Sequence, residues 1–309
     1  MEVAARRVSL TGVIIPVGIN HVIRGWPWVT IGIIAMCTLV QVYSEVAAPS
    51  PEAVEQLIEH RIHELPAGAD AAQQARAEQD IERIANRIPS VRFGYRSGSG
   101  ASYRLVTSAF VHAGWLHLIG NMLFLWLTGA ALEDRWGRAR FAVFYAAGAI
   151  ASALCFSALH IGQDVTLVGA SGAISALMGA FLVCFARMQV HFVYWLGRGI
   201  GRFDAAAYVA LPLWLGEQAL YAWLESDGGE SGIAFTAHIG GFLFGLATIA
   251  AVMVLAGARE RNRATGSRPS APRPSAPLPG QPVEPPKRPP EPPRAEPPAD
   301  PAGGPRFLT

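Results

Sequence analysis

The chain has 309 residues, 51% of them hydrophobic and only 16% charged, with a formal net charge of +2. Its basic residues are spread among loops, which excludes a nucleic-acid-binding patch, and the apolar excess departs from a soluble globular composition. The apolar residues gather into runs long enough to cross a bilayer, so an all-α membrane protein is expected. Cys37, Cys155 and Cys184 fall in three different runs, without pairing or metal-ligand spacing, and read as small apolar fillers. Lys287 is the single lysine among twenty-five basic residues, a usage that suggests a GC-rich genome and hence a bacterial cytoplasmic membrane.

Residues 1–27 carry Arg6, Arg7 and Arg24 and are expected to form a cytosolic N-terminal segment. The run from Trp28 to Val46 follows basic residues and precedes Ala47 and Ala48, as in a signal peptide. Its length and the five runs behind it predict an uncleaved transmembrane helix instead, with Trp26 and Trp28 in the interfacial belt.

Residues 48–103 form a polar insertion with two predicted amphipathic helices. Ser50 caps the first, Pro51 opens it, and Val54, Leu57, Ile58, Ile62 and Leu65 share a face. Ile81, Ile84, Ala85 and Ile88 mark the second, and residues 94–102 read as flexible Gly/Ser-rich loop. The insertion is expected to be a small extramembrane cap rather than a lipid-binding element, and a cap at that place can help to select substrates.

Five further runs, 115–132, 141–159, 171–186, 205–224 and 234–256, bring the predicted spans to six within residues 28–257. Arg135, Arg138 and Arg140, then Arg187, Arg198 and Arg202, then Arg259, Arg261 and Arg263 fall on the side of the N-terminal arginines. The two short opposite loops carry Asp164, Glu225, Asp227 and Glu230 and no basic residue. By the positive-inside rule both termini are cytosolic and the 48–103 insertion is extracytoplasmic. Residues 258–309 are assigned to a cytosolic tail, proline-rich from about Gly266, disordered and with polyproline II character. Pieces such as Arg268 to Pro272 fit an aromatic groove of an unknown partner, although a solvated tail is the simpler reading.

Chemistry concentrates at the outer ends of three spans. Ser171, between Ala170 and Gly172 and after Gly169, heads the fourth, where backbone can approach closely and helix N–H groups favour an anion. His238 lies a few residues inside the sixth, at matching depth. Gly172, Ala176 and Ala180 on one helix and Gly241 and Gly245 on the other are small enough for the two to pack closely. A serine hydroxyl needs a base to become a nucleophile, and a desolvated neutral histidine can serve. Singly, Ser171 reads as a serine bonded to its own helix and His238 as a packing residue; together they favour catalysis. His117 and Asn121, four apart on one face of the second span, can donate to a developing oxyanion with the Ser171 backbone N–H, or can bond between helices or line an ion path. No histidine cluster implies a metal or cofactor.

These residues resemble the rhomboid intramembrane serine proteases over about 104–257. The likeness includes Arg104 through His112, His117 with Asn121, Leu132 through Gly137, Gly169 through Gly172, and Ala237, His238 and Gly241. The resemblance implies a six-helix rhomboid bundle in which Ser171 is the nucleophile, His238 the general base and then acid, and His117 and Asn121 the oxyanion donors. It implies single-pass transmembrane proteins as substrates, cut near the extracytoplasmic face. Two features depart from the family pattern: the 48–103 insertion, and Ser175 where many members have an aromatic that stacks on the base, so that another group must orient His238. Glu217 is expected to be a buried acid with a structural hydrogen bond, His112 and His160 to be loop residues, and Leu211, Trp214 and Leu215 to form a side gate. The alternatives are a catalytically silent rhomboid-like client-binding protein, which would lack the serine or histidine, and a transporter or channel, which would show a repeat or paired intramembrane charges.

Overall fold

The computed structural model describes residues 12–46, 48–66, 68–97, 102–161, 165–197, 199–225 and 235–266. Two units are distinguished, residues 1–260 and 261–309, and within the second only 261–266 are described. All that follows concerns the first unit, except for the end of its last helix.

Helix α1 (Trp28–Val46) has the predicted bounds. In the insertion, the Ser50 hydroxyl accepts from the Ala53 N–H at 3.2 Å and Pro51 opens α2 (Pro51–His63). The second insertion helix, α3 (Ala71–Ala85), begins earlier than its apolar marks suggest, because Asp70 and Gln73 form a reciprocal capping box. Val54 and Ala77 are buried as α2 and α3 pack, and Arg61 bonds Asp80 at 2.6 Å across the pair. The short α4 (Pro89–Phe93) follows. Part of the predicted flexible loop is ordered: β2 (Tyr95–Arg96) pairs antiparallel with β3 (Thr166–Leu167). Residues 98–101 of that loop lie outside the described residues.

The helical core comprises α5 (Arg104–Thr107), a 3-10 turn (Ser108–Phe110), α6 (Trp115–Trp136), α7 (Arg138–Leu159), α8 (Ser171–Cys184), α9 (Ala207–Glu225) and α10 (Phe235–Gly266). Among the described residues, four helices are long and apolar enough to cross a membrane: α1, α6, α7 and residues 235–261 of α10. The fourth predicted span is α8, apolar but 14 residues long, and the fifth is α9, with Pro212 inside it. Residues 258–266, assigned from the sequence to the tail, continue α10; the proline-rich stretch from 267 lies outside the described residues.

Helix α8 is the centre of packing. Every residue from Gly172 to Phe181 is buried, against Leu118, Leu125 and Leu132 of α6, Phe141 and Tyr145 of α7, Leu211 of α9 and Phe242 of α10. Its small residues let neighbouring backbones touch. A Cβ on Gly148 of α7 would lie 2.6 Å from the Ala176 Cβ, and a Cβ on Gly241 or Gly245 of α10 would strike the carbonyl oxygen of Gly172 or Ala176.

The structure is mostly helical, as expected, with one addition that the sequence did not reveal. Strands β1 (Gly12–Ile19), β4 (Gln189–Leu196) and β5 (Gly199–Ala206) form an antiparallel sheet in the order β1-β4-β5. The β-branched run Val13, Ile14, Ile15 favours strand, and Pro16 is tolerated because β1 is an edge strand whose register shifts between Pro16 and Gly18. The arginine-bearing connection between α8 and α9 is therefore a β-hairpin, turning at Gly197 with φ of 59°. The turn between α6 and α7 ties the same region to the start of α1. Glu133, buried, accepts from the Val29 and Thr30 N–H groups at 2.9 and 2.8 Å and from the Thr30 hydroxyl at 2.8 Å, so a carboxylate caps the positive end of α1. Asp134 accepts from the Arg24 N–H at 3.1 Å and faces the His21 ring at 3.3 Å.

Candidate active site

The loop before α8 is held in a conformation open to few residues. Gly169 has φ of +114°, and a Cβ there would come within 2.7 Å of His117 Cε1 and 2.9 Å of His117 Nε2, so neither the backbone nor the space admits a side chain. The Gly169 N–H donates to the Ser108 carbonyl at 2.9 Å. The Ala170 N–H donates to His112 Nε2 at 3.4 Å. His112 is thus a buried acceptor, 5% exposed, and more than the loop residue expected. His160 ends α7, its ring stacked on Phe156 at 4.4 Å.

Burial, reinforced by the neighbouring His117 ring, pushes the His112 pKa from 6.5 down to about 4. At neutral pH the imidazole keeps the lone pair that Ala170 needs. On acidification the unfolded chain takes up this proton from about 6.5 downward and the folded chain only near 4, so stability present above 6.5 is lost progressively over that window. His112→Gln retains an acceptor and cannot titrate. Its thermal stability in detergent should therefore fall less between pH 6.5 and 4 than that of wild type; parallel curves would exclude the contribution.

Helices α8 and α10 bring two of the four sequence-predicted residues into contact: Ser171 Oγ lies 2.7 Å from His238 Nε2. On the other ring edge, His238 Nδ1 lies 2.7 Å from Gln218 Oε1 of α9. An amide oxygen there accepts from Nδ1–H, which leaves the Nε2 lone pair toward the serine. The rings of Trp214 and Phe235 stand 6.1 Å from the imidazole, at 33° and 83°. The Ser175 hydroxyl makes no hydrogen bond to His238 among the described residues and donates instead to the Ser171 carbonyl in its own helix at 2.7 Å.

The other two, His117 and Asn121 of α6, converge on Gly169, two residues before Ser171. A Cβ on Gly169 would meet Asn121 Nδ2 at 3.6 Å as well as the His117 ring. Asn121 is buried, and its Nδ2, beside the loop, has no hydrogen-bond partner among the described residues.

Gln218, 7% exposed, is the site residue that the sequence did not reveal. Glu217 drew attention as the charged residue of that span, yet it is exposed and has no buried hydrogen bond among the described residues. One helical step of 100° turns it away from the face that carries Gln218. The polar residue on the apolar face of α9 was the available signal. Leu211, Trp214 and Leu215 of the expected side gate all pack on the core, Leu211 buried and the other two half-buried.

Among known proteins, the chain is 29% identical over 143 residues to RHOMBOID-like protein 6, mitochondrial, of Arabidopsis thaliana, covering 46% of this chain and 41% of that protein. It is 33% identical over 114 residues to Rhomboid protease GluP of Bacillus subtilis (strain 168), 36% and 22% of the two chains. With Rhomboid-related protein 2 of Mus musculus it shares 30% identity over 148 residues, 47% and 46%. The chain thus spans less than half the length of each of these relatives. A family model, the Rhomboid domain, matches residues 99–254, half of the chain and the whole stretch from the end of the insertion through most of α10: this integral membrane chain belongs to the rhomboid family.

Proposed function

We propose that the chain is an intramembrane serine endopeptidase that cleaves single-pass transmembrane proteins near the extracytoplasmic face. The observation that carries this reading is the 2.7 Å contact between Ser171 Oγ and His238 Nε2, set among packed helices of a rhomboid domain. Ser171 attacks the scissile carbonyl carbon while its proton passes to Nε2. The acyl–oxygen bond forms, and the protonated imidazole then gives its proton to the departing amine as the C–N bond breaks. Water, deprotonated by the same nitrogen, then attacks the ester; the bond to Ser171 Oγ breaks, and the imidazolium returns the proton to that oxygen, which restores the dyad. The Asn121 amide, a His117 ring N–H and the Ser171 backbone N–H stabilise the oxyanion. Removing one such donor costs about 3 kcal/mol, so Asn121→Ala should slow turnover roughly 100-fold without abolishing it, as single-turnover cleavage would register. No cofactor or metal enters these steps.

Gln218 is the positioning residue for His238. Gln218→Leu should lower turnover by on the order of 100-fold, as expected for a catalytic group misplaced by about 1 Å, and should also cost some thermal stability because it leaves the His238 Nδ1–H without its acceptor. Gln218→Glu keeps an oxygen in place and should recover activity. Equal activity in Gln218→Leu and wild type would mean that Trp214 and Phe235 orient the ring by packing alone.

The proposed topology has six spans with both termini cytosolic. Two observations support it: β1 of the N-terminal segment pairs with β4 of the α8–α9 connection, while the insertion pairs through β2 with the α7–α8 loop. The first contact puts the N-terminal segment beside the arginine-bearing α8–α9 connection, and the second puts the insertion beside the α7–α8 loop. The central helix α8 rises about 21 Å against about 33 Å for α6 and α7, which supports a serine recessed below the outer bilayer face. Arginine-for-lysine usage supports the bacterial cytoplasmic membrane. The direct test is labelling of purified protein by a serine-directed fluorophosphonate. Label should reach Ser171 and be lost in Ser171→Ala; no label on wild type while a control serine hydrolase reacts would remove the dyad and favour a silent client-binding protein.

A further inference from the structure

Outside the site, a cleft of about 810 Å³ lies between the insertion and the C-terminal end of α1. Arg83, Arg87, Arg92 and Arg104 line it, and among the described residues no carboxylate does. On the flanking helices α1 and α3, Asp80 is held by Arg61 and Arg83, Glu45 accepts from Gln41, and Glu78 and Glu82 are exposed and make no ion pair among the described residues. Among the described residues, Arg87, Arg92 and Arg104 make no ion pair. The Arg92 and Arg104 guanidinia instead lie 5.2 and 6.0 Å from the Phe93 and Tyr103 ring centres, which holds them extended without neutralising them. Forked guanidinium donors match phosphate oxygens in geometry and charge.

The depth of the cleft selects the source of the phosphate. Exposed Trp26 and Trp28 mark one end of α1, and exposed Tyr43, which lines the cleft, stands about 22 Å further along, so the cleft sits at an interfacial belt. Met36, Leu39, Tyr43 and Val46 are all exposed and fall on one face of α1, an apolar stripe running from mid-helix to the cleft. An acidic segment of a protein partner would have no use for such a stripe; acyl chains would. None of the lining residues belongs to α9 or α10, which flank His238.

We propose that this cleft binds the phosphodiester headgroup of an anionic phospholipid, from the leaflet at the C-terminal end of α1, with its acyl chains along the Met36–Val46 face. The inference does not depend on the chemistry at Ser171. It assigns the insertion a lipid-binding role in place of the plain cap expected from sequence.

The test uses the full-length protein purified in neutral detergent and titrated with fluorescent phosphatidylglycerol. Saturable binding is expected, weakened at least tenfold in the triple variant Arg87→Gln, Arg92→Gln, Arg104→Gln and unchanged in Arg138→Gln, Arg140→Gln at the opposite end of the helices. Arg87→Gln alone, at an exposed site, should weaken binding severalfold and covers the case in which the triple variant does not fold. Undiminished affinity in these variants overturns the proposal, and so does equal binding of zwitterionic phosphatidylcholine. Displacement by millimolar inorganic phosphate would make the cleft a free-anion site, and displacement by an acidic peptide a protein-docking site; either result also overturns it.

Discussion

Ser171→Ala and His238→Ala should each lower cleavage of a transmembrane substrate by on the order of 10,000-fold or more, and the double variant should be no worse than either alone. The expectation follows from shared function: once the nucleophile is gone the base has nothing to deprotonate, so the losses do not add. The contact between the two is 2.7 Å, and Ser171 makes no other side-chain hydrogen bond among the described residues, so alanine removes the hydroxyl without disturbing a network. His238→Ala also frees Gln218 Oε1, a buried acceptor, and should cost some thermal stability where Ser171→Ala costs little. Activity retained in either variant, measured on reconstituted protein with cut fragments identified by mass, would exclude the dyad. Additive losses would mean that the two residues serve separate steps.

The largest structural effect is expected at Gly245. A methyl there would run into the carbonyl oxygen of Ala176, backbone that cannot turn aside, and Gly241 is set in the same way against Gly172. Gly245→Ala gains about 1 kcal/mol of helix propensity but must push α10 away from α8, an overpacking cost of about 3 kcal/mol. A net loss of on the order of 2 kcal/mol is expected, with a lower melting temperature in detergent. His238 lies two turns along the same helix, so the displacement also stretches its contact with Ser171, and activity should drop by on the order of 100-fold even in the folded fraction. Gly32→Ala is the control: a Cβ there meets nothing within 4 Å, and that variant should be as stable as wild type or more so. Equal behaviour of the two variants would show that the α8–α10 contact has room to give.

What was legible in the sequence is what depends on neighbours along the chain. Trp28 and Val46 bound α1 because apolar length alone sets a span, and Ser50 with Pro51 starts α2 because a cap needs only the next three residues. The small residues of α8 and α10 were legible for the same reason, since a repeat of four is local even when its partner is not. The sheet was not: Gly12 pairs with Leu196 across most of the chain, and Pro16 disguised a strand whose only local sign was a β-branched run. Glu133 could be read as part of a family motif but not as the cap of α1, a role that exists only once residues 29 and 133 meet. Gln218 was hidden by its charged neighbour, and the choice between the two required knowing which face of α9 looks inward.

The antiparallel pairing of Tyr95 and Arg96 with Leu167 and Thr166 ties the insertion to the chain just ahead of Gly169. The Arg96 guanidinium adds a 2.9 Å bond to the Thr166 hydroxyl, and Gly94 is packed so tightly there that a Cβ would fall 3.0 Å from Val168 Cγ1. The insertion thereby works as a splint on the peptide that presents the serine. Excising it to obtain a smaller protein would leave residues 166–168 without their mate and let that peptide wander, and a lipid seated against Arg92 would stiffen the same splint from its far side.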